Sequence, residues 1–290
     1  MKFRRLALIG CGLMGGSLAL ALKRVGLVQR VVGFSPSQRT RQTALELGVV
    51  DEAVTSAAQA AQGSDVIVIA VPVAATQPSF EAIREVISAH TLVMDVGSTK
   101  QDVVLAAQVL GERLPCFVPA HPIAGKEVAG VVHAEASLYA GKKVILTPSK
   151  ATNPALCEKA QAIWQAVGSQ VITMCADRHD AVFAAVSHLP HVIAFAAVNA
   201  LATQPHADEL LNMAGPGFRD FSRIAASDPT VWRDILLANR DEVLAQAQRF
   251  QAQMTLLQTA IEQGDAQALT QLIELARQTR GPWRMNQPQD

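Results

Sequence analysis

The chain has 290 residues, enough for one large or two ordinary domains with a buried core. Half of it is apolar, 17% is charged, and 25 basic residues balance 25 acidic ones. This excludes a disordered or coiled-coil chain, and the balanced charge gives no electrostatic case for nucleic acid or an anionic membrane. Cys11, Cys116, Cys157 and Cys175 are scattered without C-x-x-C spacing. They read as small buried hydrophobes in a reducing compartment, not as a disulfide frame or a metal site. The charged start, Met1 to Arg5, runs into a Gly-rich turn too soon for a secretory leader, and no uninterrupted apolar run approaches the length of a membrane span. A soluble cytoplasmic protein is expected.

Leu6-Ala-Leu-Ile9 opens onto Gly10-Cys-Gly12-Leu13-Met14-Gly15, followed by a segment of helical composition. This strand, turn and helix with G-x-G-x-x-G at the junction predicts a dinucleotide site. The glycines allow a tight turn and close approach of a pyrophosphate, and the helix N-terminus supplies N–H groups to it. The second strand, 28–34, leads to Ser35-Pro-Ser-Gln-Arg39-Thr40-Arg41. An NAD enzyme usually has Asp or Glu there for the ribose 2′-hydroxyl, whereas a 2′-phosphate needs that carboxylate replaced and a cation nearby. Hydroxyls and arginines without an acid point to NADP rather than NAD. The same residues also fit a plain helix start, with Ser35-Pro36 as its cap.

Helices are expected over 42–47 and 56–62, then a strand over 65–71 of the kind buried on both faces, ending at Val71-Pro72 under the cofactor. A helix around 80–88 and a strand over 91–96 repeat the pattern, ending at Ser98. Ser98 either caps the next helix or turns its hydroxyl into the crevice. The apolar run 116–120 reads as a strand end that puts His121 at the carboxyl edge of the sheet, where ligands bind in open α/β folds. Strands over 142–147 and 171–174 flank a helix from 153 to 166 and complete a nucleotide-binding domain of residues 1–174.

From 175 to 290 the segments become Ala- and Gln-rich and helical in period, so an all-α domain follows. Pro190 should kink the helix over 177–203, with His188 and His191 on one face of the bend, either facing a ligand or forming a satisfied core pair. Ser227-Asp-Pro229 marks a helix start. The apolar residues from Trp232 to Ile261 then predict one continuous helix of roughly 30 residues, ~45 Å long. Such a stripe is best covered by a second subunit, predicting a homodimer through this domain. A last helix is expected over 265–279.

Taken together, Gly10 to Gly15, Asp95-Val-Gly-Ser-Thr-Lys100, His121-Pro-Ile-Ala-Gly-Lys-Glu127, Ser187-His-Leu-Pro-His191 and Gly217-Phe-Arg-Asp-Phe-Ser-Arg223, with Ser227-Asp-Pro229 and Trp232, make the chain resemble the prephenate/arogenate (cyclohexadienyl) dehydrogenase family of tyrosine biosynthesis. The resemblance covers nearly the whole chain. It implies a Rossmann-type domain followed by an all-α dimerisation domain, and oxidative decarboxylation of a cyclohexadienol with hydride transfer to a nicotinamide. It also implies His121 as the proton acceptor and Ser98 as its partner. Arg223, oriented by Asp220, would receive a substrate carboxylate, with His188 and His191 nearby and Glu127 and Trp232 gating or lining the cleft. A β-hydroxyacid dehydrogenase would need a second-domain lysine, and residues 177–280 contain none. A non-catalytic dinucleotide sensor would not need His121, Ser98 and Arg223 together.

Overall fold

The computed structural model describes residues 2–126 and 128–284. Their contacts form two compact units, residues 1–240 and 241–290. The first unit is built on strands β1 (Phe3–Ile9), β2 (Val28–Phe34), β3 (Glu52–Val54), β4 (Val66–Ile69), β5 (Leu92–Asp95) and β6 (Phe117–Val118), which form one sheet in the order β3-β2-β1-β4-β5-β6. All its pairings are parallel. Every residue of β4 and β5 is buried, as expected of strands covered on both faces. Helices α1 (Leu13–Arg24), α2 (Gln38–Glu46), α3 (Ala57–Ala61), α4 (Thr76–Ile83) and α5 (Gln101–Ala106) make the connections. The strand order reverses between β1 and β4, and the crevice outside the carboxyl ends at such a reversal is where this fold binds ligands.

Local starts differ from expectation in instructive ways. Helix α2 begins before residue 42, and its cap is Ser37, whose Oγ accepts from Thr40 N at 3.2 Å, not Ser35-Pro36. Strand β3 has no hydrophobic signature of its own; it exists because β2 offers Val32, Gly33 and Phe34 for pairing.

The chain leaves the first sheet at Pro119. His121 therefore does not sit just beyond a strand of that sheet. It lies inside β7 (Ala120–Pro122), paired opposite Ile145 of β8 (Lys143–Leu146), in a separate three-stranded sheet with β9 (Gln170–Thr173). Helix α6 (Pro154–Ala166) joins β8 to β9. At the crossover between sheets, side chains replace the ladder: Asp95 Oδ1 accepts from Ala120 N at 2.9 Å, and Lys100 Nζ donates to Ala120 O at 2.9 Å. Asp95 and Lys100 also pair with each other, both buried.

Beyond β9 the described residues contain no strand. The apolar run forms α7 (Ala176–Phe183), a π turn over Ala184–His188 and α8 (Leu189–Ala202). The bend thus lies in the turn preceding Pro190. An i→i+5 turn there accommodates a residue that has no N–H to give to the preceding turn. These 27 residues are long and apolar enough to cross a membrane by length and composition, yet they carry Asp180 and three histidines, and Asp180 accepts from the first backbone N–H groups of α5. Helices α9 (Ala207–Asn212), α10 (Pro216–Ser222) and α11 (Pro229–Ala238) complete the first unit.

The single long helix expected from Pro229 onward is two. Asn239 (φ −106°, ψ 33°) interrupts it, and α12 (Arg240–Glu262) and α13 (Ala266–Arg280) follow, the latter capped by Asp265. The break has a local cause. Buried Asn239 turns its amide inward, where Nδ2 donates to Asp180 O at 2.9 Å and to His188 Nδ1 at 3.0 Å. The apolar stripe is accordingly divided rather than continuous.

Accepting that bond leaves His188 neutral, and burial pushes its pKa from 6.5 down to about 4, against partial compensation by Asp180. The unfolded chain therefore binds a proton that the folded one refuses. Stability from this group is fully present above about pH 6.5 and is lost as pH falls towards 4, by on the order of 2 kcal/mol at pH 5. Urea midpoints should fall steadily from pH 7.5 to 5; a midpoint that holds or rises would contradict the neutral, bonded state of His188.

Candidate active site

A cavity of about 560 Å³ opens at the carboxyl ends of β1, β4 and β5. Its lining includes Gly12, Leu13 and Met14 from the first turn, Val71 and Pro72 from the second, Ser98 from the third, and Trp232 of α11. Of the glycines expected here, Gly10 has φ 97° and an added Cβ would lie 2.1 Å from Ala70 O, while one at Gly15 would lie 2.5 Å from Gly10 O. A Cβ at Gly12 would meet nothing within 4 Å. The first two glycines are required by the chain's own packing; the third leaves its backbone open to the cavity. The N-cap of α1 is Gly12, which has no side chain to cap it, so the N–H groups and dipole of this helix end suit an anion. Tyr139 fixes the turn by donating to Met14 O at 2.6 Å. A dinucleotide pyrophosphate fits this cradle.

Beyond the end of β2 come Ser35, in the connecting loop, and Arg39 and Thr40, in the first turn of α2. Ser35 is buried, Thr40 half-buried and Arg39 exposed. Arg41 is committed to the loop itself, its Nη1 donating to Ser35 O at 2.6 Å and Pro36 O at 3.1 Å. Cys11 packs beneath, bonded to Phe34 O, with its thiol pushed up to about 12 by burial and hence unreactive.

His121 is held from behind. Its Nδ1 lies 2.8 Å from Nε2 of His179, whose Nδ1 lies 2.7 Å from Asp180 Oδ1. Asp180 also accepts from Lys100 N and Gln101 N, each at 2.9 Å, and so caps α5 from another helix. Phe183 packs its ring against both imidazoles, at 4.8 and 4.5 Å between centroids. Burial holds His121 well below the usual imidazole range, reinforced by His179, Lys100 and His188. His121 is therefore neutral at physiological pH and able to accept a proton. It is not among the residues lining the cavity, but its neighbour Ala120 is bonded to Asp95, at the strand end that leads to Ser98.

The remaining expected residues divide. His191 stacks on Trp232 with centroids 3.4 Å apart and donates from Nδ1 to Ser187 O, so it backs the cavity wall. His188 meets the same Trp232 ring edge-on, with centroids 6.1 Å apart. It is buried and bonded to Asn239, which favours the satisfied core reading of this imidazole. Asp220 accepts from Arg219 Nε at 3.0 Å, an exposed pair between sequence neighbours. Arg223 begins the 3₁₀ turn Arg223–Ala226, whose last residue reaches the cavity lining. Glu127 lies outside the described residues.

His179, Asp180 and Asn239 were not singled out from sequence. The available signal was an adjacent His and Asp at the start of a long apolar helix, where a buried carboxylate needs partners.

Comparison with known proteins agrees with this geometry. Residues 18–173 match the family model described as prephenate dehydrogenase, nucleotide-binding domain, and residues 175–275 match that of its dimerization domain. Prephenate dehydrogenase of Bacillus subtilis is 36% identical over 280 residues, covering 94% of this chain and 74% of the relative. Cyclohexadienyl dehydrogenase of Zymomonas mobilis is 31% identical, covering 96% and 95%. The crystal structure of prephenate dehydrogenase from A. aeolicus, in complex with hydroxyphenyl propionate and NAD+, superposes with a TM-score of 0.90 at 34% identity, covering 97% of this chain and 98% of that one. With both family models matched in order and a glycine cradle, a neutral histidine and a strand-end serine brought to one region, the chain belongs to the prephenate dehydrogenase family.

Proposed function

We propose that the protein catalyses the oxidative decarboxylation of prephenate, arogenate or both, with NADP+ preferred over NAD+, as a cytoplasmic homodimer in tyrosine biosynthesis. The observation that carries this reading is His121, neutral, half-buried and hydrogen-bonded through Nδ1 to His179, beside the strand end that brings Ser98 to the cofactor cavity. Residues 1–174 would hold the cofactor, and residues from 175 would bring the substrate carboxylate to Arg223 and mediate dimerisation. The matched dimerization model supports the latter.

In this mechanism Nε2 of His121 takes the proton of the ring hydroxyl as the carbon bearing it becomes a carbonyl carbon. Bound nicotinamide supplies the hydride acceptor. The ring carboxylate then departs as carbon dioxide, and the electron pair of the broken bond aromatises the ring to a phenolate, which recovers the proton. No net proton is released. Ser98 holds the hydroxyl in register, and the guanidinium of Arg223 suits a carboxylate fork. His191 and Trp232, stacked, form an aromatic wall. Glu127 is assigned to gating or lining the cleft with Trp232, Asp220 to orienting Arg223, and Gly10, Gly12, Leu13, Met14, Gly15, Val71 and Pro72 to the cofactor.

The experiment is initial rate by reduced-nicotinamide absorbance with prephenate or arogenate against NAD+ or NADP+. Turnover is expected, with the NADP+ rates higher; silence in all four combinations, with the cofactor bound, would leave the dinucleotide-sensor reading. His121→Asn should lower kcat by about 10²–10⁴-fold with cofactor affinity near wild type, proton transfer being worth roughly that much. Arg39→Ala should lower kcat/KM for NADP+ by about tenfold, ~1.4 kcal/mol, and leave NAD+ unchanged. Equal losses with both cofactors would remove Arg39 from the 2′-phosphate site.

A further inference from the structure

Between the base and the rest of the fold lies a chain of hydrogen bonds whose direction can be worked out. Asp180 accepts from Lys100 N and Gln101 N, so its carboxylate faces donors on that side. Its Oδ1 is 2.7 Å from His179 Nδ1, and an ionised carboxylate can only accept, so His179 carries its proton on Nδ1. A neutral His179 then has a bare Nε2. That atom is 2.8 Å from His121 Nδ1, which must therefore carry the proton of the next imidazole. The consequence at the far end is a bare Nε2 on His121. Free imidazole does not dictate this choice; here it is inherited from a carboxylate two rings away.

We infer that His179 and Asp180 are positioning residues that set the tautomer and orientation of His121, so that its Nε2 is the proton acceptor. The inference rests on the proposed role of His121 and adds to it a second imidazole. When His121 gains a proton, the new charge is shared through Nδ1–H to His179 and on to Asp180. His179 is fully buried and Asp180 1% exposed, so neither bond competes with solvent. The charged and titratable groups facing the two rings are Lys100 and Asp95 from the β5–α5 segment, Asp180 from α7, and His188 from the π turn. Lys100 is itself paired with Asp95, and His188 with Asn239, so Asp180 is the group bonded directly into the relay.

The test uses full-length His179→Leu and His179→Gln. Leu fills space but cannot accept from His121, whereas a Gln amide can accept with Oε1 while donating to Asp180 with Nε2. His179→Leu should lower kcat by about 10–100-fold and leave KM and cofactor affinity within about twofold. His179→Gln should recover most of kcat. Equal kcat in the two variants, or wild-type activity in His179→Leu, would overturn the relay. Should the Leu variant fail to fold, the Gln variant decides alone: rates within tenfold of wild type are expected, and loss as severe as in His121→Asn would overturn it. A fully active His121→Asn would instead overturn the base assignment itself, which separates the two failures.

Discussion

Asp95 and Asp180 are buried carboxylates, and the placement of everything around the site follows from how each is satisfied. Asp95 accepts from Gly97 N and Ala120 N and pairs with Lys100, tying the end of β5 to the start of β7. Asp180 accepts from Lys100 N and Gln101 N and from His179, tying α5 to α7. Removing one partner of such a group leaves an uncompensated charge, at a cost of about 3–5 kcal/mol. Lys100 belongs to both sets, through its ammonium and its backbone. A strand of one sheet, a strand of another and a helix from the other half of the chain thus converge on one short segment, 95–101. His121 is placed by the first set and oriented by the second.

The cofactor cradle is constrained differently. Gly10 and Gly15 are dictated by contacts within the protein, at Ala70 and at Gly10 itself, whereas Gly12 faces open space. The division matters for chemistry, because backbone exposed at the helix N-terminus is what an anion needs and a side chain would obstruct. Ser98 and Trp232 meet the same cavity from opposite parts of the sequence, and His191 stacks behind the Trp232 ring. The rest of the ordering, from Tyr139 on Met14 to Arg41 on the Ser35 loop, keeps these surfaces still.

Much of this was legible in the sequence because the signals were local. The strand–turn–helix at Gly10 to Gly15, the acid-free loop after Phe34 and the change to helical period after residue 174 are read from neighbouring residues. What escaped depends on contacts far apart in the chain. Nothing around Pro119 announces that β7 leaves the first sheet; the departure is supported by Asp95 and Lys100, some twenty residues earlier. Asn239 sits within an apolar period that continues through it, and only its bonds to Asp180 and His188 explain the break. His188 and His191 look equivalent on a helical wheel and both meet Trp232, but His188 meets it edge-on and is bonded to Asn239, whereas His191 stacks on it and is bonded to Ser187 O. The importance of His179 lies likewise in touching a residue 58 positions away.

The central claim is that His121 is neutral with its proton on Nδ1 and its Nε2 bare. Long-range ¹H–¹⁵N correlation spectra of protein labelled with ¹⁵N-histidine at pH 7.5, assigned with His121→Asn and His179→Gln, read this directly. Nδ1–H tautomers for both His121 and His179 are the predicted result. A proton on Nε2 of His121, or a doubly protonated ring, would contradict the account.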